Sequence, residues 1–163
     1  MSDYEPPEVD SFIYRYSDEA LSLLRIVAAL LFMLHGTSKL FGFPPLPPGM
    51  ELPAIYSLPW IAGVLEVVGG ALLIVGLWSR LTAFVLSGEM AVAYWMVHAP
   101  QSPFPSVNGG DAAILYCFVF LFIAAAGPGA WSIDAKFRGQ RTLNVDNAAA
   151  MARARGQDFP DVA

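Results

Sequence analysis

The chain has 163 residues, 56% hydrophobic and only 14% charged, with a mean hydropathy of +0.52. Soluble domains carry nearer a quarter charged residues, so this apolar excess, gathered into four runs, points to lipid rather than to a large soluble core. A net charge of −5 without a basic stripe gives no reason to expect nucleic acid as a partner. The single cysteine, Cys117, excludes an intrachain disulfide, CxxC chemistry and a cysteine-built metal site, and reads as a small apolar packing residue.

Residues 1–19, MSDYEPPEVDSFIYRYSDE, are acidic and proline-bearing, with no basic region ahead of a short apolar stretch. They read as a polar N-terminal arm rather than a secretory signal. A membrane helix needs roughly 20 mostly apolar residues, and four segments qualify on that count. They are about 20–42, 60–78, 81–98 and 111–130, with only Ser79 and Arg80 between the second and third. The predicted fold class is therefore all-α: a four-transmembrane-helix bundle over 20–130, followed by an interfacial segment and tail over 131–163.

Basic residues orient it. Arg15 and Arg25 open the first run, Arg80 sits in the short turn, and Lys136, Arg138, Arg141, Arg153 and Arg155 follow the fourth. Loops 43–59 and 99–110 have none. The positive-inside rule then places both termini and the 79–80 turn in the cytoplasm and the two basic-free loops outside. Loop 43–59, FPPLPPGMELPAIYSLP, has prolines that forbid a continuous helix; it reads as a stiff connector or as a lid over the outer mouth. Trp60, Trp78, Trp95 and Trp131 fall near run ends, where indole anchors at the interface.

Ionisable residues inside the runs are costly and turn toward a bundle interior or a wet cavity. Here they are Arg25, His35, Lys39, Glu66, Glu89 and His98, with Asp111 at an edge. At about 100° per residue, His35 and Lys39 share one face of the first run, with Arg25, Ala28, Ala29, Phe32 and Gly36 close to it. Glu66 shares a face with Gly63 and Gly70, which implies a helix pressed against it. With a rise of about 1.5 Å per residue, His35, Glu66 and Glu89 lie roughly 9–13 Å below the outer end and Lys39 roughly 4–5 Å. Two carboxylates and two bases thus converge in the outward half, Glu66 and Glu89 answering the charge of His35 and Lys39. Such a set either pairs to hold helices in register or forms a proton-handling, ligand-binding pocket.

Haem ligation is disfavoured, because His98 lies at the outer end and about 180° from Glu89 on its helix; it reads as an interface residue. Arg25 leans toward the cytoplasmic side, where it can snorkel. Asp111 suits a helix N-cap or first turn, and Ser132 a cap for a short amphipathic segment carrying Trp131, Ile133 and Phe137 with Lys136, Arg138 and Arg141. Residues 142–163 read as a polar tail. No phosphate loop, dinucleotide fingerprint, nucleophile elbow or zinc spacing is present.

The segments LLRIVAALLFMLHGTSKLFG, VLEVVGGALLIVGLWSRLTA, GEMAVAYWMVH and GPGAWSIDAKF, in this order, resemble the DoxX family of small four-helix membrane proteins. The resemblance covers about residues 20–138 and implies a bacterial plasma-membrane protein. The family is associated with thiosulfate:quinone oxidoreductase and terminal oxidase systems, quinone detoxification and oxidative-stress complexes. Its polar motif positions fall on Arg25, His35, Gly36, Lys39, Glu66, Gly70 and Glu89.

The leading expectation is a redox-linked subunit that binds a quinone or similar molecule near the outer face. His35 and Lys39, with Arg25, would bind the ligand, and Glu66 and Glu89 would relay protons as the catalytic pair. If the chain is an enzyme, it is a quinone-linked oxidoreductase subunit. Membrane lipid and other redox subunits are the expected partners, and the glycine face permits self-association. The alternative is a non-enzymatic scaffold or assembly partner; a transporter is weaker still, since no broken helix or internal repeat is visible.

Overall fold

The structure, a computed structural model, describes residues 8–139, with side chains from residue 16 onward. These residues form an all-helical fold with no strand among them. Helix α1 (Glu8–Phe41) is followed by α2 (Leu58–Val75), then α3 (Ser79–Ala93), which runs on as a π-helical turn (Tyr94–His98). A short α4 (Pro105–Asn108) precedes α5 (Asp111–Ala126), and a final helical run, α6, begins at 133 and is described to 139. Residues 1–7 and 140–163, with Arg141, Arg153, Arg155 and the whole predicted tail of 142–163, lie outside the described residues.

Local chemistry sets these bounds. Gly42 closes α1 at φ 65, its N–H on the Ser38 carbonyl at 3.0 Å. Ser57 caps α2, its hydroxyl accepting from the Trp60 N–H. Gly76 ends α2 at φ 71, and the N–H groups of Gly76 and Leu77 both reach the Leu72 carbonyl. Only a residue without a Cβ suits this close: the Gly76 backbone lies against Ser132. Asp111 stands in the first turn of α5, where a carboxylate is favoured. The Ser132 hydroxyl accepts from Ala135 N–H at 3.0 Å and so caps α6.

Helix α1 packs chiefly on α2, and α3 chiefly on α5; α2 meets α3 more thinly, and α1 meets α5 more thinly still. The buried stripe of α1 is Ser22, Arg25, Ala29, Phe32 and Gly36, spaced at threes and fours. The facing stripe of α2 is Gly63, Glu66, Gly70 and Leu73. The two interlock: a Cβ added at Gly36 would lie 2.7 Å from the Gly63 carbonyl oxygen, and one at Gly70 3.2 Å from that of Ala29. Between the two helix pairs sits a core of Phe32, Leu73, Leu86, Phe120 and Ile123. Phe32 meets Phe120 edge-on at 4.9 Å between ring centroids.

Outside this core the surface is apolar. Leu23, Leu24, Val27, Leu30, Leu31 and Leu34 are exposed along α1, as are Ile61, Leu65, Val68 and Val75 on α2. Only 33% and 28% of the most apolar windows of these helices are buried. A helix whose leucines face outward is matched to hydrocarbon, since contiguous apolar patches of this extent are rare on soluble monomers.

The expectation of four spans is corrected here. Two helices, Tyr16–Phe41 of 26 residues and Leu58–Val75 of 18 residues, are long and apolar enough to cross a membrane. The predicted run at 81–98 breaks up: its α-helical part is Ser79–Ala93, 15 residues, and the remainder winds as the π turn. The run at 111–130 ends at Ala126 after 16 residues, because Gly127 at φ 111, Pro128 and Gly129 stop it. Counting apolar residues across these stops overestimated both. The predicted cytoplasmic placement of both termini falls outside the described residues. The first helix also starts earlier than predicted, so residues 8–19 of the expected arm are helical.

Candidate functional site

The interlock of α1 and α2 places the polar residues. Lys39, in the last turn of α1, donates from Nζ to Glu66 Oε1 at 2.6 Å. Glu66 is 1% exposed, whereas the Lys39 side chain is 30% exposed, so the pair has a dry end and a wet end. Glu89 on α3 lies within electrostatic reach of both Glu66 and Lys39. Glu66 Oε2 and both carboxylate oxygens of Glu89 are buried, with no hydrogen-bond partner among the described residues. Each such orphan costs about 1–3 kcal/mol. Two carboxylates with three open oxygens, within electrostatic reach of one ammonium, leave acceptor capacity for donors.

His35 stands beside this set on the exposed side of α1. Its ring meets Tyr116 of α5 edge-on at 5.9 Å. Tyr116 also packs on Phe32 at 5.2 Å and Phe120 at 5.7 Å, and is within electrostatic reach of Glu66. The structure thus brings Lys39, Glu66 and Glu89 together and sets His35 at their flank. Sequence reasoning missed Tyr116; its spacing of four from Phe120 was the available signal, and it was absorbed into an apolar run.

Arg25 is not brought to this cluster. It lies 14 residues before Lys39, about 21 Å along the helix, and is fully buried. Its Nε donates to the Pro128 carbonyl at 2.7 Å, one terminal nitrogen to the carbonyls of Leu73 and Ile74, and the other to that of Trp131 at 2.6 Å. The cation therefore sits on the carbonyl-rich C-terminal end of α2, where a positive charge is favoured, and ties α1 to α2 and to the α5–α6 connection. Around it, Arg80 donates to the carbonyls of Ala124, Ala125 and Ala126, closing α5. Asp134 accepts from the N–H groups of Trp78 at 3.0 Å and Ser79 at 2.8 Å, closing the start of α3. Burial pushes the Asp134 carboxyl up, but these bonds and the charge of Arg138 outweigh it and hold the group below its ordinary value.

His98 closes the far connection instead of facing the cluster: its Nδ1 is 3.0 Å from the Asn108 carbonyl oxygen. Cys117 packs against Ser87, whose hydroxyl donates to the Cys117 carbonyl at 2.8 Å. No group of three or more His, Cys, Asp or Glu gathers as metal ligands among the described residues.

An apolar helical assembly with a charged pair and orphan carboxylates inside defines a membrane protein with a buried polar site. The DoxX family model matches residues 20–99, which hold Lys39, Glu66, Glu89 and His35. A Haemophilus influenzae protein described as an uncharacterized protein is 43% identical over 126 residues, 76% of this chain and 94% of the relative. The chain belongs to the DoxX family. No solved structure matches it.

Proposed function

We propose that the protein is an integral component of the bacterial plasma membrane that binds a quinone, or a similar small molecule taking up and releasing protons on reduction and oxidation, at the Lys39–Glu66–Glu89 cluster. The observation that carries this reading is the set of three buried carboxylate oxygens without partners next to a bound ammonium. A hydroxyl-bearing head group would satisfy them, and its carbonyl form would accept from Lys39. His35 and Tyr116 flank the cluster as aromatic walls, and Glu66 and Glu89 are the groups that pass protons. Arg25 has no part in this site. Apart from Lys39, the basic side chains of the described residues gather at the opposite end, which supports a cluster toward the outer face and Arg80 toward the cytoplasm. Any electrons come from a partner subunit of a redox complex.

The test is purification in mild detergent, followed by solvent extraction and mass spectrometry. Quinone near one per chain, lost in folded Glu66→Gln and Lys39→Ala variants, is the expected result. A protein carrying only phospholipid would overturn it. The second reading, a scaffold held by the same ion pair, predicts a different pattern: Lys39→Met and Glu66→Gln each lower stability, and the double variant recovers part of the loss. Exchanges of this kind between membrane helices average about 0.6 kcal/mol.

A further inference from the structure

The cationic end carries a second feature that the cluster does not use. A groove of about 600 Å³ opens there, lined by Trp78, Arg80, Leu81, Pro128, Asp134 and Arg138. It is amphipathic. Trp78 and Leu81 are largely exposed on its apolar side, with Trp131 and Phe137 exposed on the neighbouring segment. On its polar side stand two guanidiniums and one carboxylate. The Asp134 carboxylate accepts from the N-terminal N–H groups of α3 and lies within electrostatic reach of Arg138; two guanidiniums against this one carboxylate leave the groove net cationic. Arg80 has five N–H donors and spends three on the end of α5, which leaves two. A guanidinium anchored in this way is a preorganised fork for phosphate oxygens.

We infer that this groove is a binding site for an anionic phospholipid, the phosphate held by Arg80 and Arg138 and the first acyl segments lying on Trp78 and Leu81. Charge and layout choose this occupant. The phosphate-binding groups sit beside indole side chains, at the level where headgroups lie, and exposed apolar surface continues from the groove along α3 through Leu81, Phe84 and Val85. A free phosphate would use the arginines and leave that surface idle. The inference is independent of what the Lys39–Glu66–Glu89 cluster binds.

The test is native mass spectrometry of the full chain, released from nanodiscs of mixed phosphatidylglycerol and phosphatidylethanolamine. The expected result is preferential retention of one phosphatidylglycerol, unaffected by millimolar inorganic phosphate. In Arg138→Gln the preference falls about fivefold, the worth of one basic contact at a membrane surface, and Arg138→Lys keeps most of it. Leu81→Asp, at an exposed position, abolishes it without lowering the melting temperature. Equal retention of the two lipids, a preference unchanged in Arg138→Gln and Leu81→Asp, or displacement by inorganic phosphate would each overturn the inference.

Discussion

Individual side chains divide into two kinds in this protein: those whose polar atoms are all spoken for, and those left open. Arg25 is the first kind. Buried, with no carboxylate in ion-pair contact among the described residues, it is answered by four backbone carbonyls, two at the end of α2 and two in the α5–α6 connection. Glu66 and Glu89 are the second kind, with three oxygens unanswered. Asp134 belongs with Arg25, and its role has a pH signature. A carboxyl whose folded value is depressed stabilises the fold fully above its unfolded value, near 3.8, and loses that contribution as pH falls through the lower folded value. In melting experiments, the gap between the wild type and Asp134→Asn should therefore be constant from neutral pH to about 4 and close below it. A gap that already closes between pH 7 and 5 would show that Asp134 is not the group holding the α2–α3 turn.

Among the helices, the close approach of α1 and α2 is the element that makes the cluster. A Cβ at Gly36 meets the Gly63 carbonyl, the Val67 side chain and the Glu66 Cβ, all under 3.0 Å; backbone cannot give way as a flexible side chain can. Gly36→Ala should therefore cost about 1–3 kcal/mol, read as a lowered melting temperature in detergent, and should push Lys39 off Glu66. Gly88 on α3 has nothing within 4 Å of its added Cβ. Gly88→Ala should leave stability unchanged or raise it by up to about 1 kcal/mol through helix propensity. Equal effects at the two glycines would refute the interlock.

Both stripes of this interlock were legible in the sequence. Ala28, Ala29, Phe32 and Gly36 on one helix, with Gly63, Glu66 and Gly70 on the other, follow from helical spacing alone. Spacing also put Lys39 and Glu66 within reach of each other. It did not show the fate of Arg25, because the angular wheel groups residues by direction and says nothing of the carbonyls at the end of α2 or beyond α5. Nor did it show where α3 and α5 stop. Hydropathy reads through Gly127 and the π turn at Tyr94–His98, whereas backbone geometry does not.

For the whole molecule, segregation of charge is the organising fact. Among the described residues Arg25, Arg80, Lys136 and Arg138 cluster at one end, while the connector 42–57 at the other has no basic residue. If that end faces the cytoplasm, a cysteine at Met50, exposed on the connector, should react with a membrane-impermeant maleimide in intact cells. One at Gly139 should react only after permeabilisation. Both are made in a Cys117→Ala background. The reverse pattern would invert the orientation and move the cluster to the cytoplasmic side.

The arrangement around Arg25 has a mechanical meaning. One end of the molecule is riveted: a single guanidinium joins three segments, Arg80 closes a fourth, and Asp134 pins the turn between α2 and α3. At the other end α1 and α2 meet through the Gly36–Gly63 approach and one ion pair with a partner partly in solvent, His35 meets Tyr116 of α5, and His98 fastens the loop beside them. Glu66 is carried by the α1–α2 pair and Glu89 by the α3–α5 pair, so the spacing of the two carboxylates is set by how the pairs meet across Phe32, Leu73, Leu86, Phe120 and Ile123.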